Sequence, residues 1–314
     1  MMKVFWNFGR GFMATGRVTK MVLFLFIVNL LFSLLLAIPM YNSLKDSFGR
    51  SEAGSRMAKG FDYIWWEEFR DEARGLETTF SPSVIGKGAI LTNLESLIQM
   101  RFFSSPSILI VFGLFYIILH TFLAGGILST FSQDVPRFTM KEFIHGAGSH
   151  FLRFFGLMLF SWVFIITIGG LLRDAFISIL SGISSNSFSE VTPFFIRLAF
   201  SALTFILLLF IQMVFDYARI KVVLEESRNI FKSTLEALVF VFKYPFSTFG
   251  LFYLVFLFQV AVTVIYILLK EIIPQSNFPW VLAVFIIQQL FIFAIIWVRC
   301  LLYSSQMQLY RYMR

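Results

Sequence analysis

MVLFLFIVNLLFSLLLAIPM, residues Met21–Met40, runs for twenty positions without a charge. A helix needs roughly 20 apolar residues to cross about 30 Å of hydrocarbon. Five more runs of this kind follow, at Ser107–Leu128, Leu152–Leu172, Phe194–Phe215, Phe246–Leu269 and Trp280–Val298. Lipid cannot hydrogen-bond a bare backbone, so apolar runs of this length must be helices. The reading is an all-α, polytopic membrane bundle of six transmembrane helices.

Composition agrees. Hydrophobic residues make up 58% of the 314-residue chain and charged residues 14%, against about 45–50% and about 25% in soluble domains. A water-soluble fold of this size has no place for that excess. The 43 phenylalanines partition readily into hydrocarbon. They read as lipid-facing and interhelical packing, with an aromatic path for an acyl chain as the functional alternative. The net charge of +8 sits beside the spans, where topology and anionic headgroups account for it. No polar module interleaves basic and aromatic residues, so nucleic acid is not an expected partner. Membrane lipids are, along with other membrane or envelope proteins.

The chain divides into a cytoplasmic amphipathic N-terminus (1–20), a first span (21–40), a long periplasmic or extracellular loop (41–106), a five-helix region (107–303) and a cytoplasmic tail (304–314). The first span reads as an uncleaved anchor, because a full-length run follows twenty residues that include Lys3, Arg10, Arg17 and Lys20. With six spans, both termini share one side. Placing them inside puts Arg137, Lys141, Arg153, Arg219, Lys221, Arg228, Lys232, Lys243, Arg299, Arg311 and Arg314 inside as well. The short outer links then hold only Arg173, Arg197 and Lys270. Basic residues beside short connections favour the cytosol. The expected location is therefore a bacterial inner membrane, with N- and C-termini cytoplasmic.

Two inner links, 138–151 and 229–244, alternate polar and apolar residues at helical spacing. In the second, Phe231, Leu235, Leu238 and Phe242 share a stripe and Lys232, Glu236 and Lys243 lie off it. Each reads as an amphipathic helix on the inner headgroup layer, as does the stretch with Val4, Phe5, Phe8 and Phe12. Each forms, with the spans on either side of it, a span–surface helix–span unit, and the two units resemble a parallel repeat; shared insertion rules for adjacent hairpins would produce the same likeness. In the outer loop, Gly60–Glu77 reads as an acidic helix with Phe61, Ile64, Trp65 and Phe69 on one patch. A turn at Ser81–Gly88 and a second amphipathic helix at Ala89–Phe103 follow.

Polar side chains inside a membrane are costly and need a reason. Asn29 and Ser33 share a face of the first span. His120 lies well inside the second. Gln259 in the fifth and Gln288-Gln289 in the sixth can reach across a bundle to His120 or to each other. Asp216 and Arg219 stand at i, i+3 where the fourth span ends, the spacing of a same-face ion pair. That pair reads either as a structural clamp or as a headgroup or proton site. Catalytic patterns do not emerge. There is no G-x-S-x-G elbow, no phosphate loop and no zinc spacing among His120, His145 and His150. Cys300 is the single cysteine. No catalytic residue, metal site or cofactor is assigned.

The segment FDYARIKVVLEESRNIFKSTLEALVFVFKYP (Phe215–Pro245) resembles a group of uncharacterised bacterial inner-membrane proteins. That group is similar to the multi-span membrane domain fused to some glycerophosphodiester phosphodiesterases. The D-x-A-R exit (Asp216, Ala218, Arg219), the surface helix and the Pro-started span carry the resemblance. FLAGGILSTF (Phe122–Phe131) with FTMKEFIHGAGSHFLRFF (Phe138–Phe155) is similar to an earlier hairpin of the group. The resemblance implies a helical membrane bundle. It brings no phosphodiesterase activity, because no such domain is present.

Three functional expectations follow. The first is a non-enzymatic accessory or scaffold subunit of a bacterial envelope system. The second is a transporter or lipid-handling permease, which predicts a central cavity lined by Asn29, His120, Gln259 and Gln288. The third is an enzyme acting on lipid through outer-loop carboxylates or Asp216. On the threading, a reporter active only in the cytosol should work at either terminus and fail when inserted in the 41–106 loop. Activity from the loop insertion would reverse the assigned sides.

Overall fold

The computed structural model describes residues 2–49, 56, 61–80, 107–184, 191–273 and 277–314. Its helices are α1 (Met2–Arg17), α2 (Thr19–Gly49), α3 (Tyr63–Glu72), α4 (Ser107–Ser132), α5 (Met140–Ser184), α6 (Val191–Glu225), α7 (Ile230–Lys243), α8 (Pro245–Ile272) and α9 (Phe278–Met313). A 3-10 turn occupies Glu77–Thr79, and no strand occurs among the described residues. Six helices, α2, α4, α5, α6, α8 and α9, are long and apolar enough to cross a membrane. The chain is an all-α, multi-pass membrane protein.

Burial is concentrated at one end of the bundle, the end that holds both chain termini. On α2 the buried residues are Met21, Val22 and Leu25, all in its first turns. On α4 they begin at Thr121 and run to Phe131. On α8 they are Thr248, Leu251, Phe252 and Val255, again at the start. On α9 almost all lie beyond Val298. At the opposite end, large apolar residues such as Leu31, Ile38, Phe115, Ile177, Phe195 and Phe278 are exposed. A helix in hydrocarbon gains little from hiding such side chains, since lipid tails are as apolar as leucine.

Small residues make the close contacts instead. α1 packs on α8 and α9, and Gly11 lies so near α9 that a β-carbon there would come within 2.8 Å of the Ser305 backbone. α4 and α5 meet through Gly125 and Ala147, where the corresponding distance is 3.1 Å to the Ala147 carbonyl. On α7, Ser233, Thr234, Ala237 and Val241 are buried, whereas Phe231, Leu235, Val239 and Phe242 point outward. Most of the apolar stripe of that helix is thus exposed, although Leu238 packs on the core and Phe231 meets Phe160 at its edge, and the small face packs against α6.

Three boundaries differ from the sequence reading. Residues 138–151 are not a separate surface helix; from Met140 they form the first turns of α5. No proline interrupts that run, whereas Pro245 ends α7 at Lys243 by disfavouring helical geometry in the residue before it. The 304–314 segment, read as a cytoplasmic tail, is helical. It continues α9 to Met313, with Ser304, Ser305, Gln306, Met307, Leu309 and Tyr310 buried. The first span also runs on, through Pro39, to Gly49.

Beyond that extension, Trp65 and Phe69 of α3 are buried with Leu44 and Phe48 of α2 and with Phe80. Trp65 stacks on Phe48 at 4.5 Å and donates to Ser47 Oγ at 3.0 Å. Asp62 caps α3 through the Trp65 N–H, and its ion pair with Arg56 together with that cap holds its carboxyl below the usual carboxylate range. The expected turn at 81–88 and helix at 89–103 lie outside the described residues.

If small-residue contact holds this end together, Gly11→Ala should destabilise the detergent-solubilised protein by about 1–3 kcal/mol, the cost of overpacking. Gly9→Ala, where a β-carbon meets nothing within 4 Å, should be neutral or mildly stabilising. Equal melting temperatures for the two variants would contradict this packing.

Candidate intramembrane binding site

The polar core of the bundle starts from a carboxylate that apolar surroundings would not tolerate alone. Asp216 on α6 is fully buried. Arg219, one turn later, donates from Nη1 to Asp216 Oδ1 at 3.1 Å. Arg299 of α9 donates from Nη2 to the same oxygen at 3.1 Å. Tyr303, one turn beyond Arg299, places its hydroxyl 2.8 Å from Arg299 Nη2 and 3.4 Å from Arg219 Nη1. The Arg299 guanidinium also lies 4.5 Å from the Tyr303 ring centre. Asp216 Oδ2 and Arg219 Nε are buried without hydrogen-bond partners among the described residues.

This cluster borders a cavity of about 360 Å³ between α2, α4, α5, α6 and α9. Arg219, Arg299 and Tyr303 form one side of it. Another side is a hydrogen-bonded group on α2 and α4. Asn29 Oδ1 accepts from the Tyr116 hydroxyl at 2.7 Å and lies 3.2 Å from His120 Nε2. That second bond requires the tautomer with hydrogen on Nε2. Asn29 Nδ2 donates to the Leu25 carbonyl at 2.8 Å. Asn29 therefore joins the two helices, as polar residues inside membranes commonly do.

Two further cavities adjoin the first. One, about 480 Å³, lies between α4, α5 and α6 and shares Ile117, Ser161, Trp162 and Arg219 with it. The other, about 550 Å³, lies between α2, α4 and α9 and shares Asn29 and Tyr116 with it. Both are lined mainly by aliphatic and aromatic residues. Leu109 and Gly113 of α4 border both. The result is a charged chamber with an apolar compartment on each side of α4.

The sequence-selected residues separate accordingly. Asn29, His120 and Arg219 line the central chamber, and Asp216 holds the arginine in place. Gln259 is exposed on α8 and Gln288 is half-buried on α9, and neither lines any of the three cavities, so of the four residues expected around a permease cavity only Asn29 and His120 are there. Its neighbour Gln289 borders the α2–α4–α9 compartment, with Oε1 buried and unpartnered among the described residues. Arg299, Tyr303 and Tyr116 were not singled out from the sequence. Arg299 looked like a flanking charge because the apolar run stops at Val298. The signal that α9 runs on past it was the Ser304-Ser305 pair, small residues that prolong close helix packing.

A second ionic group lies nearer the termini and is balanced. Lys221 contacts Glu225 at 3.1 Å and Glu236 at 2.6 Å, and Arg314 lies 3.7 Å from Glu225. Tyr310 donates to Glu225 at 2.6 Å. Arg311 donates to the Ser132 carbonyl at the end of α4. These contacts join α9 to α4, α6 and α7. Among the described residues, no cluster of His, Cys, Asp and Glu could hold a metal ion.

No protein-family model, curated protein or solved structure matches the chain. The site is therefore argued from its own chemistry.

Breaking a buried ion pair from one side costs about 3–5 kcal/mol, because the remaining charge is left uncompensated. Asp216→Ala should produce a loss of that size in detergent unfolding experiments. Tyr303→Phe removes an acceptor shared by both arginines and should cost about 1–3 kcal/mol. Wild-type stability in Asp216→Ala would rule out this triad as a structural element.

Proposed function

We propose that the protein is a lipid-handling permease of a bacterial inner membrane, with both termini cytoplasmic. One observation carries the reading: a charged cavity between the helices shares walls with two apolar ones. Ligand pockets are concave and mostly apolar, with a few polar groups that fix orientation, and span about 300–1,000 Å³. The three cavities here each fall in that range. Their arrangement suits an amphiphile, a molecule whose polar head and apolar body need different surroundings.

The excess of Lys and Arg at the termini end supports the cytoplasmic assignment of that end. The D-x-A-R exit that carries the resemblance to the phosphodiesterase-linked membrane domain is the segment that brings Asp216 and Arg219 to the chamber. The likeness to that group, as proposed here, is one of membrane architecture. A scaffold role draws on the outward faces of α1 and α7, including Phe5, Trp6, Phe231 and Leu235. Lipid contact explains those faces equally well, and a scaffold makes no use of the chamber. An enzyme acting on lipid would need a nucleophile or activated water beside the arginines. Asp216 Oδ1 accepts from both of them, and no metal-holding cluster stands beside them among the described residues.

The test is movement of a tail-labelled phospholipid in proteoliposomes. Wild-type protein should accelerate transfer between leaflets over protein-free liposomes. Gly113→Trp, which projects bulk beside both apolar compartments at a position where a β-carbon meets nothing within 4 Å, should reduce that rate about tenfold. A wild-type rate equal to the protein-free rate would overturn the reading.

A further inference from the structure

The charge balance of the chamber and the direction of its side compartments specify the lipid more closely, given that the chamber is an amphiphile site. Arginine stays protonated in proteins. Two guanidinium groups therefore face one carboxylate, and one positive charge is left over. The Lys221–Glu225–Glu236–Arg314 group has no such excess, since it pairs two acids with two bases. No acidic residue lines the chamber or either compartment among the described residues. A ligand ammonium would find no counter-charge there, whereas an oxyanion would find Arg219, Arg299 and the Tyr303 hydroxyl.

The compartments run from the arginines away from the chain termini. On α6 the lining residues step back from Arg219 through Phe215, Gln212 and Ile211 to Leu208. On α9 they step from Arg299 through Ile292 to Gln289. At 1.5 Å per residue each of these two paths covers about 15 Å, while on α4 and α2 the lining extends further, to Leu109 and Leu36. Half of a hydrocarbon core of about 30 Å is the same length. A lipid of the leaflet on the termini side has this disposition, with its head toward that face and its chains toward the midplane. Two compartments, one on each side of α4, match two chains.

We infer that the chamber binds a two-chain phospholipid of net charge minus one, taken from the leaflet on the side of the chain termini. Its phosphodiester replaces the missing partner of the Arg219–Asp216–Arg299 cluster, and its acyl chains lie astride α4 at Gly113.

The experiment is native mass spectrometry of the full chain in mild detergent. The ligands are phosphatidylglycerol, phosphatidylethanolamine and diacylglycerol with identical chains, and glycerol phosphate without chains. Phosphatidylglycerol should be retained about tenfold better than either other lipid, roughly the discrimination of one well-placed charged contact. Glycerol phosphate should not be retained. Arg219→Gln and Arg299→Gln should each bring phosphatidylglycerol down to the level of phosphatidylethanolamine, with melting curves reporting whether the variants fold. If either fails to fold, the headgroup comparison on the wild-type protein decides. Equal retention of phosphatidylglycerol and phosphatidylethanolamine would overturn the charge assignment while leaving an amphiphile site standing. Retention of glycerol phosphate at the level of the lipid would overturn the role of the chains. No adduct of any lipid would overturn both this inference and the permease reading.

Discussion

A carboxylate inside an apolar bundle must be neutralised, and the way Asp216 is neutralised organises this protein. Arg219 comes from its own helix at the next turn, which local spacing supplies at no cost in topology. Arg299 comes from α9 and requires α6 and α9 to approach closely at one depth. Taking charges out of water costs several kcal/mol per ion, and a buried pair regains that only with good geometry and further hydrogen bonds. Tyr303 supplies such a bond to both arginines. The cluster sets the register of the two helices, and the chamber forms beside it.

The rest of the packing follows from the solvent. In water, large apolar residues drive a fold by leaving the surface. In lipid they gain little by doing so, and close approach of backbones matters more. Gly11 against Ser305, Gly125 against Ala147 and the Ser233–Thr234–Ala237 face of α7 are examples. The amphipathic segments obey the same rule. Their aromatic stripes read as resting on the headgroup layer, and in the structure Phe5, Trp6, Phe231 and Phe242 are exposed.

Much of the architecture was legible because it depends on a single strong quantity, the length of uncharged apolar runs. All six spans lie within helices that meet the membrane criterion. The Asp216–Arg219 pair was legible because three residues along a helix fix two side chains on one face. Asn29 and His120 stood out because polar groups are rare in hydrocarbon. What failed to show was long-range. Only the small Ser304-Ser305 pair hints that α9 continues for another fourteen residues past Arg299, so the arginine looked like an interfacial flank. Gln259 met the same rarity test as Asn29 yet faces outward, because hydropathy reports depth in the membrane and not the direction around the helix axis. The continuity of α5 through 151 was hidden for a similar reason. An amphipathic opening and an apolar continuation look like two elements unless a breaker is required between them.

The uneven distribution of burial along the bundle has a mechanical consequence. Near the termini, glycine contacts, the Asp216 triad and the Lys221–Glu225 network bind α1, α4, α6, α7 and α9 into one block. Toward the far end the contacts among the described residues are scattered ring pairs, such as Phe176 with Phe200 at 5.0 Å. Stiffness therefore falls along the helix axes, and thermal bending should separate the far tips while leaving the anchored bases in place. A bundle anchored in this way would bend as a set of cantilevers fixed at one face of the membrane, parting its far tips toward the surrounding lipid.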